Sequence, residues 1–199
     1  MTYQQSIDWQ IFDETGQRKY VSEAERMCFL AAADHEPPRI RALCYLLAYT
    51  GCRVSEALSL KRFHIDQERR VITFQTLKRR KLVFRCVPVP KTITDIILAI
   101  KTSGQSVLWA IHRSIAWRWI KRVMNAAQIT GPMATCKGLR HGFGIWAATR
   151  SVPPNLIQRW MGHASSTTTA IYLNAVGSEE RLFARRMWEP ANDQLRLAA

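Results

Sequence analysis

Two short runs rich in β-branched and aromatic residues, 71–76 and 82–89, flank the basic tetrad Lys78-Arg79-Arg80-Lys81. Paired runs of this kind, joined by a few polar residues, read as a β-hairpin. The rest of the chain reads as helix and loop. The expected fold is therefore mainly α with one small antiparallel β-sheet.

The helices are marked by their ends. Ser22-Glu23-Ala24-Glu25 is a capping box, which predicts a helix through about residue 33. Pro37-Pro38 opens a helix over 39–49 that is apolar on most sides and so buried; Thr50-Gly51 breaks it and residues 54–60 resume it. Thr92 opens a helix over 93–101. Residues 114–127 carry an apolar stripe of Ile115, Trp119, Val123 and Ala126, with Arg118, Lys121 and Arg122 on another face. A small-residue helix over 139–149, one from Pro153-Pro154 to Met161-Gly162, and a last one over 178–188 complete the reading. A turn is expected at Asp13-Glu14-Thr15-Gly16.

Charge is distributed by region. No Asp or Glu occurs over residues 96–178, where nine Lys/Arg lie, and residues 61–91 hold ten Lys/Arg against Asp66 and Glu68. The first sixty residues are balanced, with six basic and eight acidic side chains. A net charge of +14 concentrated in this way predicts one basic face and a polyanionic partner, nucleic acid before membrane. The 47% hydrophobic content excludes a disordered tail. No apolar run approaches the roughly 20 residues a bilayer requires. Cys28, Cys44, Cys52, Cys86 and Cys136 lack metal-ligand spacing and read as reduced core thiols, so neither a metal nor a disulfide is expected.

A nucleic-acid partner raises the question of which residues could handle a phosphodiester. Phosphoryl transfer needs cationic donors around the nonbridging oxygens, a nucleophile in line and an acid for the leaving oxygen. The sequence has no P-loop, and its acid-free stretch argues against a two-metal site. A metal-free route through Arg, Lys, His and a side-chain nucleophile remains.

Three ordered motifs carry a resemblance. Thr50-Gly51-Cys52-Arg53-Val54-Ser55-Glu56-Ala57-Leu58-Ser59-Leu60 resembles the first arginine box, TGxRxSExxxL, of the tyrosine recombinases, or phage-integrase family. Lys137-Gly138-Leu139-Arg140-His141-Gly142-Phe143 resembles the second box, HxLRHxF, with Lys137 where His is usual. Met161-Gly162-His163-Ala164-Ser165-Ser166-Thr167-Thr168-Thr169-Ala170-Ile171-Tyr172 resembles LGHxSxxTTxxY. The resemblance covers about residues 20–172, and the basic hairpin falls where the family places its catalytic lysine.

The resemblance implies a recombinase catalytic-domain fold and DNA cleavage and rejoining. Arg53 and Arg140 would grip the scissile phosphate, His163 would donate to it, and Tyr172 would attack to form a 3′-phosphotyrosine. Neighbouring cations are expected to favour the Tyr172 phenolate. Lys78 would protonate the leaving 5′-oxygen, with Lys81 the alternative, and Lys137 is an active-site residue whose role is open. His141 is expected to be structural. Arg79, Arg80 and Lys81, with Arg118, Lys121 and Arg122, would contact DNA. No cofactor is implied, because the phosphotyrosine conserves the bond energy. Double-stranded DNA is the implied partner, with self-association into a tetramer on DNA and possible DNA-bending accessory proteins. Two other readings stay open: a DNA-binding regulator on the same fold with little turnover, and a type IB topoisomerase-like relaxing enzyme.

The organisation expected is an extension over 1–19, a catalytic domain over 20–176 and a C-terminal helix or tail over 177–199 that neighbouring subunits exchange. The resemblance implies a short form, similar to the fimbrial phase-variation recombinases, in which the usual N-terminal DNA-clamping domain is not expected before Arg53. A cytoplasmic, nucleoid-associated prokaryotic protein is expected.

Overall fold

The computed structural model describes residues 11–78, 81–102 and 107–172, with the side chains of 77–82 outside that description. Its helices are α1 (Glu23–Asp34), α2 (Pro38–Thr50), α3 (Val54–Leu58), α4 (Lys91–Leu98), α5 (Arg113–Ala126), α6 (Cys136–Thr149), α7 (Pro154–Met161) and α8 (Thr167–Ala170). Strands β1 (Ile65–Asp66), β2 (Val71–Lys78) and β3 (Lys81–Pro88) form one antiparallel sheet in the order β1-β2-β3.

Local chemistry sets the ends. The Glu25 N–H donates to Ser22 Oγ at 3.3 Å and the Ser22 N–H to Glu25 Oε2 at 2.9 Å, closing the capping box of α1. Thr135 Oγ1 accepts from the Gly138 N–H at 3.0 Å and starts α6 three residues before the expected 139. Pro90, at the N-cap of α4, opens that helix at Lys91 ahead of the Thr92 expected to begin it. On α5 the buried face is Ala116, Ile120, Val123 and Met124, with Ile115 and Trp119 only part-buried and Ala126 exposed. The expected stripe is thus rotated toward the 116/120/123/124 spacing that meets α1 and α3. The turn at Asp13 forms, with its carboxylate accepting from the Thr15 and Gln17 N–H groups at 2.9 and 2.8 Å. The helix expected over 178–188 lies outside the described residues.

Two apolar clusters organise the molecule. The larger joins α1, α2, α4 and α5 to the inner face of the sheet, where Ile72, Phe74 and Val87 are buried. The smaller gathers Ile11, Tyr20, Phe143, Ile145, Ile157, Met161 and Tyr172 around α6 and α7. Among the described residues no helix is long and apolar enough to cross a membrane.

Candidate active site

The first arginine is placed by a chain reversal. Gly51 ends α2 in the left-handed conformation at φ 57°, and a Cβ there would also strike Phe143 at 2.5 Å. Two residues on, Arg53 is the extended N-cap of α3. Glu56 holds it twice: Oε2 accepts the Arg53 N–H at 2.8 Å and Oε1 accepts from its guanidinium at 3.1 Å. The other terminal nitrogen of Arg53 reaches the Gly162 carbonyl at 3.5 Å.

Arg140, on α6, is buried and donates to the carbonyls of Gly51 at 2.6 Å and Met161 at 2.8 Å. One guanidinium therefore ties the end of α2 to the end of α7. Burial, then the charge of Arg53, lowers its pKa to about 10, so it stays cationic at neutral pH. Both arginines keep donors beyond these contacts, since a guanidinium carries five N–H groups.

The third box follows α7. Gly162 terminates that helix at φ 67°, and His163 comes next with Nδ1 at 2.9 Å from Thr169 Oγ1. Burial, then the charges of Arg140 and Arg53, holds His163 at about 3, so the imidazole is neutral at pH 7. The Thr169 hydroxyl can donate to Nδ1, and in that tautomer the ring proton sits on Nε2.

Tyr172 is 1% exposed. Its ring lies 5.8 Å from that of His163, at 27° between planes, and 5.9 Å from that of His141. Gly144 makes room for it, since a Cβ there would sit 2.6 Å from Tyr172 Cε2. Its hydroxyl lies 3.2 Å from His141 Nδ1, its one hydrogen-bond partner among the described residues. Burial pushes the phenol up to about 12, outweighing the opposite pull of Arg140 and Arg53. The two cations favour the phenolate as their charge predicts, but in this buried arrangement desolvation outweighs them and the phenol stays protonated at neutral pH.

The structure brings Arg53, Arg140, His163 and Tyr172 together from three separate segments. Lys137 is exposed one turn before His141 on α6, near enough to add to the burial that holds His141 at about 3. Lys78 ends β2 and pairs in register with Lys81 at the hairpin turn. The side chains of Lys78 and Lys81, and Arg79 and Arg80 altogether, lie outside the described residues. A cleft of about 340 Å³ between β3 and α7 reaches Gly162 and His163.

On α5 the three cations differ. Arg122 pairs with Glu36, its Nε donating at 3.0 Å, and Lys121 donates to the Ala134 carbonyl at 3.0 Å. Arg118 is exposed, next to Trp117, itself 51% exposed. Sequence reasoning passed over Trp117, and an aromatic among cations on one helix was its signal. It also missed Arg85. Alternation along β3 and the residue after it puts that arginine on the same face as Val87 and Val89. The contact of His141 with Tyr172 left no local signal, because it depends on how the chain after α8 returns over α6.

A helical body carrying one hairpin, with these side chains at its centre, is the fold of tyrosine recombinase catalytic domains. The solved XerA recombinase matches with a TM-score of 0.73 at 27% identity, over 86% of this chain and 65% of that one. The catalytic domain of bacteriophage HP1 integrase shares the fold, with a TM-score of 0.63 at 20% identity, over 87% of this chain and 96% of that one. The chain belongs to the phage integrase family, whose model matches residues 19–178. Tyrosine recombinase XerA of Pyrococcus furiosus is 30% identical over 166 residues, covering 77% of this chain and 56% of the relative. The chain thus spans little more than half the length of that curated relative.

Proposed function

We propose that this chain is a site-specific recombinase that cuts and rejoins double-stranded DNA through Tyr172. The convergence of half-buried Arg53 with buried Arg140, His163 and Tyr172 carries the reading. Arg53 and Arg140 grip the nonbridging oxygens of the scissile phosphate as planar forks. Neutral His163 donates to the same phosphate from Nε2. Tyr172 leaves His141 and attacks phosphorus. One P–O bond forms to the phenol oxygen while the bond to the 5′-oxygen breaks. The phenol gives its proton to water as it attacks, and the leaving oxygen takes one from Lys78 on the hairpin. Lys137 adds a cationic donor at the phosphate.

Rejoining is the same step run backwards, so no cofactor enters. Exchange between two duplexes cuts four strands and calls for four tyrosines, hence four subunits on DNA, with DNA-bending accessory proteins to assist. Such a protein works at the nucleoid of a prokaryotic cell.

The test uses supercoiled DNA carrying the sequence that flanks the gene. Quenching with detergent should trap a covalent protein–DNA adduct that Tyr172→Phe abolishes while binding persists. Binding without any adduct from the unaltered protein would defeat the reading in favour of a DNA-binding regulator.

A further inference from the structure

Arg85 occupies a position where the sheet calls for an apolar side chain. It stands opposite Phe74 in the β2–β3 register, on the face that also buries Val87 and Val89, and is 7% exposed. The guanidinium lies 4.9 Å from the Phe74 ring centroid. All three of its nitrogens are engaged. Nε donates to the Trp160 carbonyl at 2.8 Å, one terminal nitrogen to Thr76 Oγ1 at 2.6 Å and Glu56 Oε1 at 3.0 Å, and the other to Glu56 Oε2 at 2.6 Å. Gly162 leaves it space, since a Cβ there would come within 3.1 Å of the guanidinium.

The partner of this fork is the carboxylate that holds Arg53. Glu56 accepts from Arg85 through both oxygens, from Thr76, and from the N–H and guanidinium of Arg53. A carboxylate facing Arg53 alone would cancel the charge that Arg53 needs for a phosphate. With Arg85 present, the trio of Arg53, Glu56 and Arg85 keeps one net positive charge. Burial by itself would raise the Glu56 pKa, but the hydrogen bonds and charge of Arg85 hold it at about 2. The same arginine fixes the last turn of α7 through Trp160, two residues before the Gly162 carbonyl that Arg53 reaches and three before His163.

We propose that Arg85 is a positioning residue for the phosphate grip. It neutralises Glu56, so that Glu56 orients Arg53 without consuming its charge, and it locks the His163 turn against the hairpin. The proposal rests on Arg53 being a phosphate ligand, as argued above.

Single-turnover adduct formation on the flanking DNA, with thermal unfolding measured in parallel, tests it. Arg85→Met keeps length and the contact with Phe74 but removes the charge, and should slow adduct formation about 100-fold with DNA binding little changed. Adding Glu56→Gln removes the uncompensated carboxylate and should recover at least tenfold of that loss. A plain packing role predicts the opposite, a double variant worse than either single one. A rate for Arg85→Met equal to that of the unaltered protein, or a double variant slower than Arg85→Met, would overturn the proposal. If Arg85→Met does not fold, Arg85→Lys is read instead: it keeps the charge and should stay within tenfold, and a larger fall would overturn the proposal. Absence of adduct from the unaltered protein strikes the recombinase reading itself and is seen before any variant is compared.

Discussion

The two halves of the candidate site are held in different ways. Arg140 and Arg53 are fastened to the scaffold, the first by the Gly51 and Met161 carbonyls and the second by Glu56 and Gly162. Tyr172 belongs to a short return after the four-residue α8, and its side chain is held by ring contacts and one hydrogen bond. The difference separates two tasks. A phosphate grip gains from being built in advance, because its donors then need no reorganisation when charge develops. A nucleophile that must reach phosphorus has to leave its resting place, so few bonds should hold it there.

Breaking the built half should have the larger effect. Arg140→Ala removes a phosphate fork and leaves two buried carbonyls without their donor. Adduct formation should fall at least about 1,000-fold, and chemical denaturation should show a loss of about 2–5 kcal/mol. A variant that keeps near-normal cleavage would place the grip elsewhere.

Gly144→Ala attacks the stowed half. The added methyl meets the Tyr172 ring at 2.6 Å, so ring or helix must shift, at a cost of about 1–3 kcal/mol. Alkaline absorbance titration should then show one tyrosine moving down from about 12 toward the ordinary 10. An unchanged titration would mean that the pocket gives way and the tyrosine stays buried.

Acid sharpens the contrast through the two histidines that flank Tyr172. Burial first, with cations behind it, holds His141 and His163 at about 3 against the ordinary 6.5. Below pH 6.5 the unfolded chain therefore binds protons that the native state refuses, so stability is full above 6.5 and is lost as the pH falls. The slope is about 1.4 kcal/mol per pH unit for each histidine. The melting midpoint should drop between pH 6.5 and 4.5, and His141→Gln should roughly halve the slope. The full slope surviving in His141→Gln would show that this side chain is not kept neutral by its burial.

Committed and uncommitted side chains also divide α5. Arg118→Ala should reduce the slope of log affinity against log salt by about 1, whereas Arg122→Ala, already paired with Glu36, should change it less. Equal changes would show that Arg122 leaves Glu36 for DNA.

Much of this was legible in the residues. The β-branched runs gave the hairpin, and the capping box and proline pairs gave the starts of α1, α2 and α7. The two-residue β1 carries no period to read, and the buried face of α5 depends on which neighbours it meets. The ordered boxes pointed to Arg53, Arg140, His163 and Tyr172, whose meeting is tertiary. Arg85 stood on the buried face of its strand, but its task became visible only when Glu56 proved to be shared with Arg53. Burial is also why the phenol shift ran opposite to the charge-based expectation: desolvation outweighs two guanidiniums at Tyr172.

The most direct measurement is to map the covalent linkage. Adduct trapped on flanking DNA, digested with nuclease and protease and sequenced by mass spectrometry, should carry its nucleotide on Tyr172 through a 3′-phosphate. A nucleotide on any other residue, or a 5′-phosphate link, would contradict Tyr172 as the nucleophile served by Arg53 and Arg140.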